Sequence, residues 1–145
     1  MLVYLDNSAL NRPFDDQKQP RIWLETLAVS LILQMTEAGE IDLIKSPIHF
    51  LENDQSLVVV RRQCVEHCLR LARNEATLGE SVKSRANELQ RGGLKPLDAL
   101  HVACAETAGA SHFLTCDDRL IRRYAGQIAV LNPLDFVLQS SQQIS

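Results

Sequence analysis

The sequence predicts an α/β fold, with a mainly parallel sheet and helices on both of its faces. Three observations carry this. Short strand-like runs alternate along the chain with longer segments of helical periodicity, and strands separated by helices pair in parallel. The opening run Leu2-Val3-Tyr4-Leu5 is apolar without interruption, the pattern of a strand buried on both faces. The chain has 145 residues, room for one core, and a domain of this size buries roughly 70% of its unfolded surface without a disulfide or zinc staple.

The elements follow in order. A strand over 2–5 runs into Asp6-Asn7-Ser8, and a polar loop, Asn11-Arg12-Pro13-Phe14-Asp15-Asp16, comes next. Ile22, Leu24, Leu27, Ala28, Leu31, Ile32 and Met35 lie at helical spacing and predict a helix over 21–38, stopped by Gly39. A strand is expected over 41–44. Ser46-Pro47 then reads as an N-cap with proline at the first helical position, opening a helix to Asn53. A longer helix over 56–73 and a short edge strand over 76–78 are expected. A helix over 80–90 ends at Gly92-Gly93, and Lys95-Pro96 opens another that runs to Ala108 and stops at Gly109. A strand over 112–115, a short helix over 119–124 and a last strand over 128–131 complete the pattern. One domain is expected over 1–138, with the polar residues 139–145 as a fraying tail.

Composition narrows the function. Fifteen Lys and Arg stand against eighteen Asp and Glu, a net charge of −3, which excludes a generic basic coat for nucleic acid. The apolar stretch 27–33 is too short, and too interrupted by Ser30, to span a bilayer. The opening residues lack the basic and apolar regions of a secretion signal, so a cytoplasmic location is expected. The four cysteines include no CxxC pair. Cys64, His67 and Cys68 sit about one helical turn apart, but a structural zinc site needs a second ligand pair. Val60, Cys64, Val65, Cys68, Leu69 and Ala72 share helical spacing, so the cysteines read as small core residues.

The chemistry lies in the carboxylates. In open parallel sheets ligands bind beyond the carboxyl ends of the strands. Two strands end in acid there, Leu5 in Asp6 and Leu114-Thr115-Cys116 in Asp117-Asp118. Asp98 sits in the first turn of the helix opened by Pro96, and Glu52 near the end of the helix after the second strand. Each has an ordinary alternative as a cap, a helix-dipole partner or a surface group. Gathered together they require something more. Two like charges about 4 Å apart repel by roughly 4 kcal/mol at an effective dielectric near 20. An all-oxygen cluster that offsets this with a cation favours Mg²⁺ or Mn²⁺. Such ions promote attack on phosphodiesters and stabilise the leaving oxygen.

Four segments also resemble a known family in the right order. Leu5-Asp6-Asn7-Ser8 resembles the opening strand-Asp-x-Ser motif of the PIN-domain nucleases. The segment from Ser46 to Glu52 resembles the one carrying their helical Glu, Leu97-Asp98-Ala99-Leu100-His101 their Asp-Ala-Leu helix start, and Leu114-Thr115-Cys116-Asp117 their Thr-x-Asp. Within that family the chain is similar to VapC-type toxins. The resemblance implies a three-layer α/β/α sandwich. It implies endoribonuclease activity on RNA from Asp6, Glu52, Asp98 and Asp117 as catalytic acids, with Asp6, Asp98 and Asp117 holding Mg²⁺ or Mn²⁺. It implies a homodimer and an antitoxin partner. Asp117 matches the Thr-x-Asp register, with Asp118 beside it as the competing acid.

Ser8, Thr115, Asp118 and His101 are candidate supports around the acids. His101 lies three residues after Asp98, on the same helix face, with a buried hydrogen-bonded histidine as its ordinary reading. His49 and His112 read as structural. Arg12, on the loop after the Asp6 motif, is the leading candidate for RNA contact. Arg119, Arg122 and Arg123 are further cations near the expected rim, while Arg61, Arg62, Arg70 and Arg73 decorate the fourth helix. Trp23 with Leu24, Leu27 and Leu31 reads either as core or as a dimer face. Three other functions compete. A haloacid-dehalogenase-type phosphatase wants a second Asp where Ser8 stands. A receiver-type phosphoacceptor domain wants a buried strand before its Lys-Pro, and Lys95-Pro96 follows no such strand. A non-catalytic PIN-like binding module fits the net charge.

Overall fold

The computed structural model describes residues 1–142. Five parallel strands form one sheet: β1 (Leu2–Leu5), β2 (Asp42–Lys45), β3 (Asn74–Glu75), β4 (His112–Leu114) and β5 (Ala129–Leu131), in the order β3-β2-β1-β4-β5. β1 is central, pairing Val3 with Leu43 on one side and Tyr4 with Phe113 on the other. Its alternation builds the layers. Tyr4 joins Ile44 and Phe113 in a core under helices α5 (Glu80–Arg91) and α6 (Pro96–Thr107). Val3 and Leu5 join Leu43 and Leu114 in a second core on the opposite face. That core takes in residues of α1 (Asn7–Leu10), α2 (Pro20–Glu37), α4 (Val59–Leu69) and α8 (Pro133–Gln142). This is the three-layer α/β/α sandwich. The helices α3 (Pro47–Asn53) and α7 (Asp118–Arg123) follow β2 and β4 directly.

The helix signals act as read. Pro47 and Pro96 occupy first-turn positions of α3 and α6. Gly39 and Gly109, just past α2 and α6, adopt φ of +80° and +84°, a region that L side chains rarely adopt. No helix among the described residues is long and apolar enough to cross a membrane.

Several expectations are corrected. The loop after Asp6 is mostly helical, as α1 and a 3-10 turn over Arg12–Phe14. The edge strand lies at Asn74–Glu75 rather than 76–78. Ala76 is buried, which drew the apolar pattern toward it, yet its N–H donates back to Lys45 just past the ladder. The fourth helix is shorter than 56–73, and its buried stripe is Val65 and Leu69. Cys64 is exposed and Cys68 half-buried, so Cys64 is not a core residue. On α2 the buried side is Ile22, Glu25, Ala28, Val29, Ile32 and Thr36, leaving Trp23, Leu24, Leu27 and Leu31 40–51% exposed rather than in the core. A helix not expected from the sequence, α8, covers Pro133–Gln142, and residues 143–145 of the expected tail lie outside the described part. Its signal was present: Asn132 Oδ1 accepts from the Leu134 amide, with Pro133 opening the helix as Pro47 does.

Candidate active site

The three central strands deliver their carboxyl ends to one rim. Asp6 directly follows β1, Glu52 lies on α3 after β2, Asp117 caps α7 after β4, and Asp98 lies in the first turn of α6. All four line a single cavity of about 510 Å³.

Asp6 is the most enclosed of them. Its Oδ2 accepts from Thr115 Oγ1 at 2.8 Å and from Ser8 Oγ at 3.0 Å. Ser8 Oγ in turn accepts from the Cys116 amide at 3.1 Å, and Thr115 Oγ1 from the Asp117 amide at 3.1 Å. The two hydroxyls thus stitch the end of β1 to the end of β4. Burial pushes the Asp6 carboxyl upward, against the opposing pull of His101 and these hydroxyls. Asp98 is pushed up to about 6, first by burial and then by the negative neighbours Asp6 and Asp117.

Asp117 does two jobs at once. Its Oδ1 accepts from the Arg119 amide at 2.9 Å and the Leu120 amide at 3.3 Å, capping α7, and it lines the cavity. Asp118 is drawn elsewhere. Arg21 Nη1 and Nη2 donate to its two oxygens at 2.7 and 2.6 Å, outside the cavity.

His101 sits behind the acids, 1% exposed. Its Nε2 lies 2.7 Å from Glu52 Oε2 and 3.9 Å from Asp6 Oδ1. One donor atom from each of Asp6, Glu52 and His101 lies within 4.8 Å of the others. His49 is structural. It stacks on Tyr4 at 4.4 Å, Nε2 donates to Leu5 O at 2.7 Å, and burial lowers its imidazole to about 3. His112 is partly buried at the start of β4, beside Ser111.

Arg12 also lines the cavity, but its guanidinium is engaged. It pairs with Glu25 Oε1 at 2.9 Å and Asp15 Oδ2 at 3.1 Å. Glu25 is a buried carboxylate that the apolar pattern of α2 concealed; it also takes Arg21 Nε at 3.3 Å and the side-chain amide of Asn132. Arg61 lines the cavity too, donating to Phe14 O at 3.1 Å with its guanidinium over the Phe14 ring. Its place in the sequence, among the four arginines of the helix expected after the Glu52 segment, gave no sign of this. Arg119, Arg122 and Arg123 do not line the cavity.

The donor set suits a hard cation. Among the described residues no lysine or arginine pairs with Asp6, Glu52, Asp98 or Asp117. Three asparagines lining the same cavity, Asn7, Asn11 and Asn53, have buried Oδ1 atoms without a hydrogen-bond partner. Their nitrogens are committed to backbone carbonyls of His49, Asn7 and Arg62. The surroundings therefore hold a surplus of acceptors, which a divalent cation with oxygen ligands offsets.

Comparison with known proteins agrees with this architecture. The fold is similar to the crystal structure of PAE2754 from Pyrobaculum aerophilum, with a TM-score of 0.54 and 17% identity, over 99% of this chain and 90% of that one. No curated protein sequence matches the chain. The sequence pattern of the PIN domain matches residues 3–127, a span that holds the five acids Asp6, Glu52, Asp98, Asp117 and Asp118, and the chain belongs to the PIN domain family.

Proposed function

We propose that the protein is a metal-dependent endoribonuclease hydrolysing RNA phosphodiester bonds, of the VapC type, and acts as the toxin of a toxin–antitoxin pair. PIN domains are generally nucleases. The observation that carries the reading is the convergence of Asp6, Glu52, Asp98 and Asp117 on one cavity, with no lysine or arginine among the described residues paired with any of them.

In this reading Asp6, Asp98 and Asp117 hold Mg²⁺ or Mn²⁺, which when bound supplies Lewis-acid polarisation of the scissile phosphate. Ser8 and Thr115 fix the Asp6 carboxylate by donating to it. Glu52, held by His101, takes the proton of the attacking water. Arg12 and Arg61 stand at the same cavity and offset phosphate charge along the strand. The antitoxin role rests on the VapC resemblance. The homodimer is supported by the exposed apolar face of α2. The phosphatase alternative loses ground here, because Ser8 donates to Asp6 rather than offering a second acid.

The test is RNA cleavage with Mn²⁺. Asp6→Asn and Asp98→Asn should each lower the rate at least about a hundredfold, since metal ligation is worth several kcal/mol in the transition state. Far-UV circular dichroism should stay unchanged. Undiminished cleavage by both variants would overturn the nuclease reading. A wild-type protein that binds no Mn²⁺ at millimolar concentration would point to the non-catalytic binding module.

A further inference from the structure

Glu52 is held from behind by a histidine side chain, as Asp6 is by the hydroxyls of Thr115 and Ser8. That side chain, His101, is itself fully enclosed and is held on its far side by a hydroxyl chain buried in the core. Tyr4 Oη lies 2.5 Å from His101 Nδ1 and 2.6 Å from Ser46 Oγ. Tyr4 is the middle residue of the central strand register, paired with Phe113 and 0% exposed. Ser46 is the N-cap of α3, the helix that carries Glu52.

The direction of each bond follows from the donors present. The Ser46 amide donates to His49 Nδ1 at 3.1 Å, and His49 Nε2 donates to Leu5 O. His49 Nδ1 is thereby occupied as an acceptor. Ser46 Oγ accepts from the His49 amide at 3.4 Å, closing the capping box. Ser46 Oγ also lies 3.5 Å from His49 Nδ1, which is already taken, so the acceptor that best fits its hydroxyl proton is Tyr4 Oη at 2.6 Å. Tyr4 has one proton of its own, and its remaining neighbour is His101 Nδ1. Burial holds the Tyr4 phenol well above its ordinary range, so this proton stays on it. Nδ1 accepts, which leaves the ring proton on Nε2, facing two carboxylates at 2.7 and 3.9 Å. An unprotonated Nε2 would set a lone pair against those oxygens.

We propose that Tyr4 is a positioning residue for the active site: its hydroxyl fixes His101 in the Nε2–H tautomer, and that N–H holds the Glu52 carboxylate at the cavity. The inference deepens the nuclease reading and rests on it for its kinetic consequence, while the tautomer itself does not. One chain of donors, Ser46 to Tyr4 to His101 to Glu52, ties the start of α3 to its far end through β1 and α6. Groups that orient an acidic ligand or base from behind are worth on the order of 10–100-fold in metal affinity or activity.

The experiment has two arms on the full chain. The first is nitrogen NMR of ¹⁵N-histidine-labelled, metal-free protein. The expected result is a protonated Nε2 and an unprotonated, hydrogen-bonded Nδ1 on His101, with the Nδ1 signal moving to that of a nitrogen without a hydrogen bond in Tyr4→Phe. A protonated Nδ1 with a bare Nε2 in the wild type would overturn the inference, whatever the protein does to RNA. The second arm measures Mn²⁺ affinity by calorimetry and kcat against KM for RNA, on variants whose folded fraction is set by thermal melting. His101→Leu should lose about 10–100-fold in kcat or Mn²⁺ affinity with KM for RNA little changed. His101→Gln, which keeps a donor for Glu52, should recover most of that loss. Equal values for His101→Leu and wild type, or no recovery by His101→Gln, would overturn the positioning role and leave the nuclease reading standing. Loss of cleavage in Asp98→Asn with none in His101→Leu is the pattern that separates the two.

Discussion

Arg21 grips both oxygens of Asp118, at 2.7 and 2.6 Å, on the side away from the cavity that the adjacent Asp117 lines. Arg21 is itself anchored on the buried Glu25 one turn along α2. With Asp118 engaged on that side, Asp117 is the acid left on the cavity rim, where its backbone position also makes it the cap of α7. The guanidinium holds the Asp118 carboxyl below its usual range.

Asp118→Asn should therefore leave Mn²⁺-dependent RNA cleavage within a few-fold of wild type. Its effect on stability should stay within about 1 kcal/mol, because the pair is half-exposed. Asp117→Asn should lower cleavage at least about a hundredfold at nearly unchanged stability, since asparagine caps a helix as well as aspartate. Cleavage assays and urea melts on the two variants check this directly; a larger catalytic loss in Asp118→Asn would reverse the assignment.

Asp98 predicts a pH signature in the metal-free protein. Its carboxyl is raised from 3.8 to about 6 in the folded state. A raised acid binds its proton more tightly when folded, so it stabilises the fold fully below about 3.8. That contribution is lost as pH rises through about 6. The melting temperature of wild type, compared with Asp98→Asn, should fall across this window without metal. Added Mn²⁺ should bind more tightly above the window than below it, because the proton competes for the same oxygens.

Glu25 should be a stability hot spot. Glu25→Ala removes the shared partner of Arg12 and Arg21 and the acceptor of Asn132. Removing one side of a buried ion pair costs about 3–5 kcal/mol, read by urea denaturation. A cost below about 1 kcal/mol would show that the charges re-pair with Asp15 and Asp118.

The exposed face of α2 predicts self-association. Leu27→Lys, in the middle of the stripe formed by Trp23, Leu24 and Leu31, should shift sedimentation from dimer to monomer while leaving the monomer fold intact. A wild type that sediments as a monomer at tens of micromolar would remove the support this face gives to a homodimer.

What the sequence revealed and what it hid have physical causes. Strands and helix starts were legible because proline, glycine and continuous apolar runs act locally: Ser46-Pro47, Lys95-Pro96 and Leu2–Leu5 needed no partner to be read. The acids at strand ends were legible as candidates because a parallel sheet sends its carboxyl ends to one edge. The stripe on α2 misled because that helix is apolar on nearly every side, so periodicity could not tell inside from outside. Glu25, Arg61 and Tyr4 were hidden for another reason. Arg61 and Tyr4 depend on residues far along the chain, Phe14 and His101, which nothing local marks; Glu25 has a local partner in Arg21, but its burial depends on the distant Asn132.

The acids around the cavity carry a practical corollary for loading order. Five carboxylates, Asp6, Asp15, Glu52, Asp98 and Asp117, line the pocket against two arginines that are already engaged, so an anionic strand gains little there ahead of its counter-ion. Nucleic acid should join second, after the divalent ion. Compound screens run in chelator would meet a pocket hostile to the very anions designed to fill it.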